Sequence, residues 1–380
     1  MSLSLSNYYN ISRILRLLWL QPGLSRIELS ETLEINKSSI TKIISWLEQE
    51  ALVVPVSIGE TSPQGGRKKI CLALNSRAAC TLGLDFSVEC VRAEILDLCG
   101  SSIWSGQYDT DIKGSKLVET AARISRDLKR VLGASGRLIG VGAAVPGIVD
   151  APNGTVIRSK PLEITEALEL GYQLRDIFQV PCFVDNDANC CCYGELLKLR
   201  QEDDYNFIYI LGQWRKGTVK NAYKGVSIGL GLVARSTVHY GKDYSAGEFR
   251  SINWKNENKN QFSLSDKDIA EAPSNRRIFL KMTSELAAHA ALLANVFDMN
   301  TLYLGGFFDP MDSEVEQIFR SEIEKNQTYP DTQSCQVHFS IHGSRATANG
   351  AAALVLDKIF GAGAATSLGQ ETGAALLLQE

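Results

Sequence analysis

The sequence predicts an α/β chain in two parts: a small head of three helices and a hairpin, then a larger body in which strands and helices alternate. Three observations predict it. Apolar residues recur at helical spacing before residue 50, then give way to two short apolar runs around a turn-rich stretch. From residue 76 onward, strand-like runs alternate with helical patterns in two successive sets. Charge is divided as well: residues 1–75 carry +2 and the remainder −6, within a formal net charge of −4.

In the head, Ile11, Ile14, Leu15 and Leu18 fall on one face of a first helix, which Pro22-Gly23 stops. Ser25 opens S-R-I-E, a capping box with Glu28, and a second helix runs to about Leu33. Glu34-Ile35-Asn36 is a short turn. Asn36 is a good N-cap for a third helix whose apolar stripe is Ile40, Ile43, Ile44 and Leu47. The opposite face shows Lys37, Ser38, Thr41, Lys42 and Ser45, with Ser39 beside them. Lysines and short hydroxyls suit phosphates and base edges in a major groove. Residues 52–56 and 70–74 read as strands flanking the turn-rich GETSPQGGRKK. A hairpin after such a helix pair makes a winged helix-turn-helix. Gly66 lets the wing tip follow a backbone closely, and Arg67 fits a narrow minor groove. Any one of these helices alone would read as a solvated face; their order points to double-stranded DNA.

Composition sets limits. A chain of 380 residues has room for two or three domains, and 44% apolar with 22% charged residues excludes wholesale disorder. A net charge of −4 argues against a uniformly basic surface, so nucleic-acid contact must be local. No run of eighteen apolar residues exists, so no membrane-spanning helix and no membrane partner are expected. Arg13 and Arg16 interrupt the first apolar run, which makes a poor signal peptide. Nine cysteines without a C-x-x-C pair are expected to be reduced thiols in a cytoplasm.

The boundary falls at Asn75-Ser76-Arg77, dividing a DNA-binding domain (1–75) from a body (76–380). The body begins with strands in CTLGLDFS and VRAEILDLCG and a helix from about Leu117 to Leu132. LIGVGAAVPGIVD follows as a buried strand entering the Pro146-Gly147 turn, then a helix near 164–178 and the strand, polar turn and helix of PCFVDNDANCCCYGELLKLR. NFIYILGQW, GVSIGLGLVAR, a helix near 279–297 and TLYLGGFF form the second set. Two lobes, about 76–188 and 189–360, with the last segment returning to the first, would enclose a cleft suited to a small polar molecule. Asn186 and Asp187 could grip sugar hydroxyls there, Asp187 accepting and Asn186 both donating and accepting. The same pair is also the pattern of an Asx turn capping a helix that begins near Ala188. Glu248, in SAGEF, supplies a second carboxylate; taken alone it reads as a solvated loop residue.

Together these segments resemble the ROK family of sugar kinases and sugar-responsive repressors. The resemblance runs from the GGR wing through VGAAVPGIVD, VDNDANCCCYGE, IGLGLV, AGE and LGG to ANGAAALVLDKIF. It implies a two-lobed, actin-like (hexokinase-type, ribonuclease H-like) body and a homodimer or dimer of dimers. It also implies a small carbohydrate effector held by Gly147, Asn186, Asp187, Glu248 and Arg250. Family kinases carry a phosphate loop, D-x-G-G-T; here Asp85 is followed by Phe86, Ser87, Val88 and Glu89. Both glycines are gone, and Glu89 would repel a triphosphate. Ser251 stands where the family's zinc-binding His would be, and the following stretch has no cysteine, so no metal and no cofactor are expected. Arg250 is the candidate to fill the space of that His. The reading is a regulator without catalytic residues, a sugar-responsive repressor of carbohydrate-utilisation genes. Two rivals stay open: a bifunctional protein retaining sugar kinase activity, with Asp187 as general base, and a regulator answering to a protein partner.

Overall fold

Local chemistry sets the ends of the head helices. In the computed structural model, which describes residues 5–58, 70–109, 116–133, 136–201, 204–215, 225–329, 335–361 and 377, α1 spans Leu5–Leu20. α2 (Arg26–Leu33) opens on a reciprocal capping box between Ser25 and Glu28, and α3 (Lys37–Gln49) on the Asn36 side chain. Ile11, Ile14, Leu18, Leu29, Ile40, Ile44 and Leu47 are at most 1% exposed, so the expected stripes do meet in one core. Arg26 ties α2 to Glu48 of α3 at 2.8 Å. β1 (Val53–Ile58) and β2 (Ile70–Leu74) then pair antiparallel, Val53 opposite Leu74. The wing tip, with Gly66 and Arg67, lies outside the described residues.

The first half of the body comprises β3 (Cys80–Phe86), β4 (Cys90–Asp97), β5 (Ser102–Asp109), α4 (Lys116–Leu132), β6 (Leu138–Val145), β7 (Ile148–Asp150), β8 (Thr155–Arg158), α5 (Leu170–Phe178), β9 (Cys182–Asn186) and α6 (Asp187–Leu199). The second comprises β10 (Phe207–Arg215), β11 (Gly225–Ala234), β12 (Thr237–Val238), α7 (Asp266–Glu271), α8 (Arg276–Val296), β13 (Thr301–Gly306), α9 (Ser313–Asn326), β14 (Gln336–Phe339) and α10 (Ala346–Phe360). Two five-stranded sheets result, β5-β4-β3-β6-β9 and β12-β11-β10-β13-β14. They share one wiring. In each, three strands run antiparallel in sequence, and the two later strands add parallel to the first.

Two readings of the body need correction. The helix near 164–178 starts only at Leu170, because Ile164 and Leu168 pair back onto Ser159 and Val156. β5 went unread; it is an edge strand whose residues are exposed or half-buried throughout, so it lacks an apolar run.

The core is closed by α10. Every residue from Ala346 to Leu356 is buried, and the helix lies on β3, β4, β6 and α6. Glycines let backbone touch backbone. A Cβ on Gly83 would overlap the Ala348 carbonyl, one on Gly142 the Ala351 carbonyl, and one on Gly350 the Cys190 carbonyl. The cysteine triplet 190–192 is buried in this layer, with burial pushing all three thiols well above the usual range, so they serve packing. The head is joined to the same layer. Its core and the apolar side chains of α6 and α10 form one continuous cluster.

Because α10 has no side chain to yield at Gly142, Gly142→Ala should lower the unfolding free energy by about 3 kcal/mol or more. Urea denaturation measures this. A loss under about 1 kcal/mol would mean that α10 can retreat from the sheet.

Candidate functional site

Three segments converge where the two sheets meet. β9 ends at Asn186, and α6 begins at Asp187. Gly229 of β11 faces that first turn: a Cβ there would stand 3.4 Å from Ala188 Cβ and 4.0 Å from Asp187 Oδ1. Gly229 in turn bridges to Glu248. The chain reaches Glu248 through Gly247, whose φ of +89° and contact with the Leu230 carbonyl require glycine. Asp187 and Glu248 therefore share one small region.

At this separation the Asp187 charge acts on Glu248. Asp187 is buried, and burial raises its carboxyl above the usual range, while Arg215, the Ala188 N–H and the Gln213 amide oppose the rise. Glu248 is exposed to solvent, yet the surrounding protein and then the Asp187 charge push it up, with Lys160 opposing. Two carboxylates that repel each other and gain from donors suit hydroxyl groups, which can donate to both.

The Asn186 side chain makes the helix cap that the sequence also allows. Its Oδ1 accepts from the Ala188 and Asn189 N–H groups at 2.9 and 3.3 Å, and its Nδ2 donates to the Gly147 carbonyl at 2.9 Å. It caps α6 and fixes the turn after β6. Gly147, with φ +124°, is held from the other side by Arg158 and Ser159. Arg250 is exposed, and its guanidinium lies 4.3 Å from the Trp254 ring centroid.

Several groups escaped the sequence reading. Asp85 is buried and paired with Arg92 at 3.3 Å, and its Oδ1 has no partner. Burial raises it to about 6, with the Asp187 charge adding and Arg92 and Arg215 opposing. The signal was available: a hairpin centred on Val88-Glu89 puts 85 opposite 92, as observed. The turn itself closes tightly, since both Ser87 N and Ser87 Oγ donate to the Cys90 carbonyl, at 3.2 and 2.8 Å. These bonds close the turn, and Arg92 pairs with the Asp85 carboxylate beside it. Asp185, also raised to about 6 by burial, accepts from Tyr240 at 2.7 Å and Asn189 at 3.0 Å. Tyr240 also meets Tyr193 at 2.7 Å, which fastens the second sheet's edge to α6.

Among the described residues no group of three or more His, Cys, Asp or Glu is placed to hold a metal ion. The loop after Glu248 is organised by amides instead. Gln261 Nε2 donates to the Ile228 and Phe249 carbonyls, both at 2.8 Å, and its Oε1 accepts from Ile228 N at 2.7 Å. Asp266 accepts from Lys259 N and Asn260 N, and Ser251 is buried against this network. Such a donor set does not fit zinc.

On the head, Lys37, Ser38, Thr41 and Lys42 are exposed, and Ser39 and Ser45 are half-buried. Two hydroxyl protons are already committed: Ser38 Oγ donates to Asn36 Oδ1 and Thr41 Oγ1 to the Lys37 carbonyl, each at 2.8 Å. The cations of this face are thus Lys37 and Lys42.

Comparison with known proteins places these features. The ROK family model matches residues 81–213. That stretch is similar to the ROK family domain. A xylose repressor of Bacillus spizizenii is 26% identical over 227 residues, 59% of this chain and 55% of that protein, so the match spans about half of the relative. A solved ROK family transcriptional regulator, a homologue of the E. coli MLC protein, superposes with a TM-score of 0.68 at 19% identity over 99% of this chain and 98% of its own. A ROK family glucokinase from Streptomyces griseus superposes at 0.53 and 19% identity over 73% of this chain and 99% of its own. At these identities the likeness shows the fold alone: a two-lobed, actin-like α/β body preceded by a helical head.

The buried carboxyls make stability pH-dependent. Asp85, Asp185 and Asp357 are each raised from 3.8 to about 6. The folded chain therefore binds the extra protons, and each contribution is complete below about 4 and lost as pH rises through 6. His342, lowered by burial to about 4, acts oppositely between 4 and 6.5. With three groups against one, urea midpoints should fall between pH 5 and pH 7.5. A rising midpoint would show that these carboxyls are ionised throughout.

Proposed function

We propose that the chain is a sugar-responsive, DNA-binding transcriptional regulator, a repressor of carbohydrate-utilisation genes acting in the cytoplasm. Residues 1–75 are its DNA-reading domain and residues 76–380 its sugar-binding body. The observation that carries the reading is the contrast within the body. Asp187 and Glu248 keep a polyol-binding pair, while the Ser87–Cys90 turn and the Arg92–Asp85 pair close the nucleotide end.

Sugar hydroxyls would donate to Asp187 and Glu248, with Gly147 and Asn186 shaping the wall and Arg250 at the rim. A neutral sugar relieves the mutual repulsion of the two carboxylates without adding charge. Bound sugar favours one arrangement of the two sheets only by its differential affinity for that arrangement. The Bacillus relative is named a xylose repressor, which makes D-xylose the first effector to test. The head places Lys37 and Lys42 on phosphates, with Ser38, Ser39, Thr41 and Ser45 toward the groove and Gly66-Arg67 at the wing. A homodimer would set two such heads on a pseudo-palindromic operator, with half-sites about one or two helical turns apart.

The fold shared with glucokinase favours one second reading, residual sugar phosphorylation with Asp187 as general base. ADP release that requires both sugar and Asp187 would establish it.

Fluorescence anisotropy on the chain's own upstream DNA, at fixed salt and with a panel of D-xylose, D-glucose and N-acetyl-D-glucosamine, tests the proposal. Tight binding altered by one sugar is expected; no binding above a scrambled duplex would overturn it. Asp187→Ala should weaken sugar binding by about 10- to 150-fold and leave sugar-free operator affinity unchanged. Equal loss of both would mark misfolding. Lys42→Ala should reduce the salt dependence of operator binding by about one unit of log–log slope and spare the sugar. An unchanged slope would remove Lys42 from the phosphate contacts.

A further inference from the structure

α6 has its first turn in the carboxylate seam and its last turn against the head. Asp187 opens the helix, and thirteen residues, or about 20 Å, later it ends beside Trp19 of α1. On both flanks α6 packs against a glycine, which has no side chain to move. On one side Gly350 of α10 rests on the Cys190 carbonyl. On the other, a Cβ at Gly231 of β11 would stand 2.7 Å from the Ala188 carbonyl oxygen and overlap Cys192 Sγ. Packing at backbone contact does not deform gradually; it moves as a body or changes between discrete arrangements.

The far end is a joint made of three side chains. Trp19 stacks on Phe360 with ring centroids 5.2 Å apart. The Arg200 guanidinium lies 5.1 Å from the indole centroid, while its Nε donates to the Trp19 carbonyl at 3.3 Å and its Nη1 to the Leu197 carbonyl at 2.9 Å. From the head, Arg16 Nε donates to the Phe360 carbonyl at 3.0 Å, capping α10. A cavity lined by Arg16, Trp19, Tyr193, Leu197, Arg200 and Asp357 adjoins the indole. Trp19 Nε1 is buried without a hydrogen-bond partner. An indole with an unmade hydrogen bond and a cavity along its side chain has room and reason to shift.

We propose that α6 is the transmission element of the regulator, and that the Arg200–Trp19–Phe360 joint is where occupancy at Asp187 resets the head. This rests on the sugar-regulated reading above and adds the route. A sugar that draws β11 onto Asp187 presses on the glycine contact at Ala188. α6 passes the displacement to Arg200, and the indole follows because Arg200 holds its backbone and its ring together. Arg200 and Phe360 are positioning residues; they touch neither sugar nor DNA.

The test measures sugar affinity by calorimetry and operator affinity by anisotropy, with and without D-xylose, D-glucose and N-acetyl-D-glucosamine. It compares the full chain with Arg200→Met, which keeps the apolar stem on the indole, and with Phe360→Leu. In the parent chain one sugar should change operator affinity by about 5- to 150-fold. In both variants that ratio should shrink to within about twofold of unity, while sugar affinity and sugar-free operator affinity each stay within about threefold of the parent. Variants that keep the parent ratio overturn the route and leave the regulator standing. Variants that lose sugar-free operator binding make the joint a scaffold for the head, which also overturns it. A parent chain that binds its operator but answers to no sugar removes the sugar-regulated reading, and the route falls with it.

Discussion

Helix α10 lies directly on the main chain of β3, β6 and α6 because glycine occupies each point of closest approach. That contact positions both working ends of the chain. Toward the seam it fixes α6, and so the direction of Asp187. Toward the head it fixes Phe360, on which Trp19 stacks. Where two backbones touch, strain has nowhere to dissipate, and rigid elements carry small displacements over long distances. The hydrophobic cluster that runs from the head helices into α6 and α10 makes the head part of the same solid.

The chemistry of the seam follows from burial. Asp85, Asp185 and Asp187 are each at most 5% exposed, and desolvation dominates all three. They differ in their partners. Arg92 and Arg215 act on Asp85, tyrosine and amide donors satisfy Asp185, and Asp187 keeps its reach toward Glu248. The environment thus sorts identical side chains into three uses. Bonds from Ser87 to the Cys90 carbonyl close a short hairpin, whose register places Arg92 opposite Asp85.

What was legible in the sequence was mostly local. Pro22, the Ser25–Glu28 box and Asn36 act within a few residues, so the head helices were read to within a residue or two. The start of α5 was misplaced because bonds from Ile164 and Leu168 to β8 compete with a helical turn, and spacing alone does not reveal them. At the site, Asp187 and Glu248 were recognised from sequence, and the structure brings them together. Asn186 was seen with both its possible uses, and the structure spends its side chain on capping. The glycine contacts of α10 were invisible, since each joins residues far apart in the chain and a lone glycine in a helical run carries no sign of its partner.

The joint between head and body spans almost the whole sequence: Arg16 holds the carbonyl of Phe360, 344 positions away. Ribosomes release chains N-terminus first at about 5–20 residues per second, so the head would wait roughly 20–70 s for the surface it rests on. Its own three helices can form early, since their caps and core are local. Its orientation relative to the body is set last, when α10 enters and completes the first sheet's cover. A nascent or prematurely ended chain would therefore present a folded head in no defined direction. Synthesis of α10, which carries Phe360, has to precede the docking of the head.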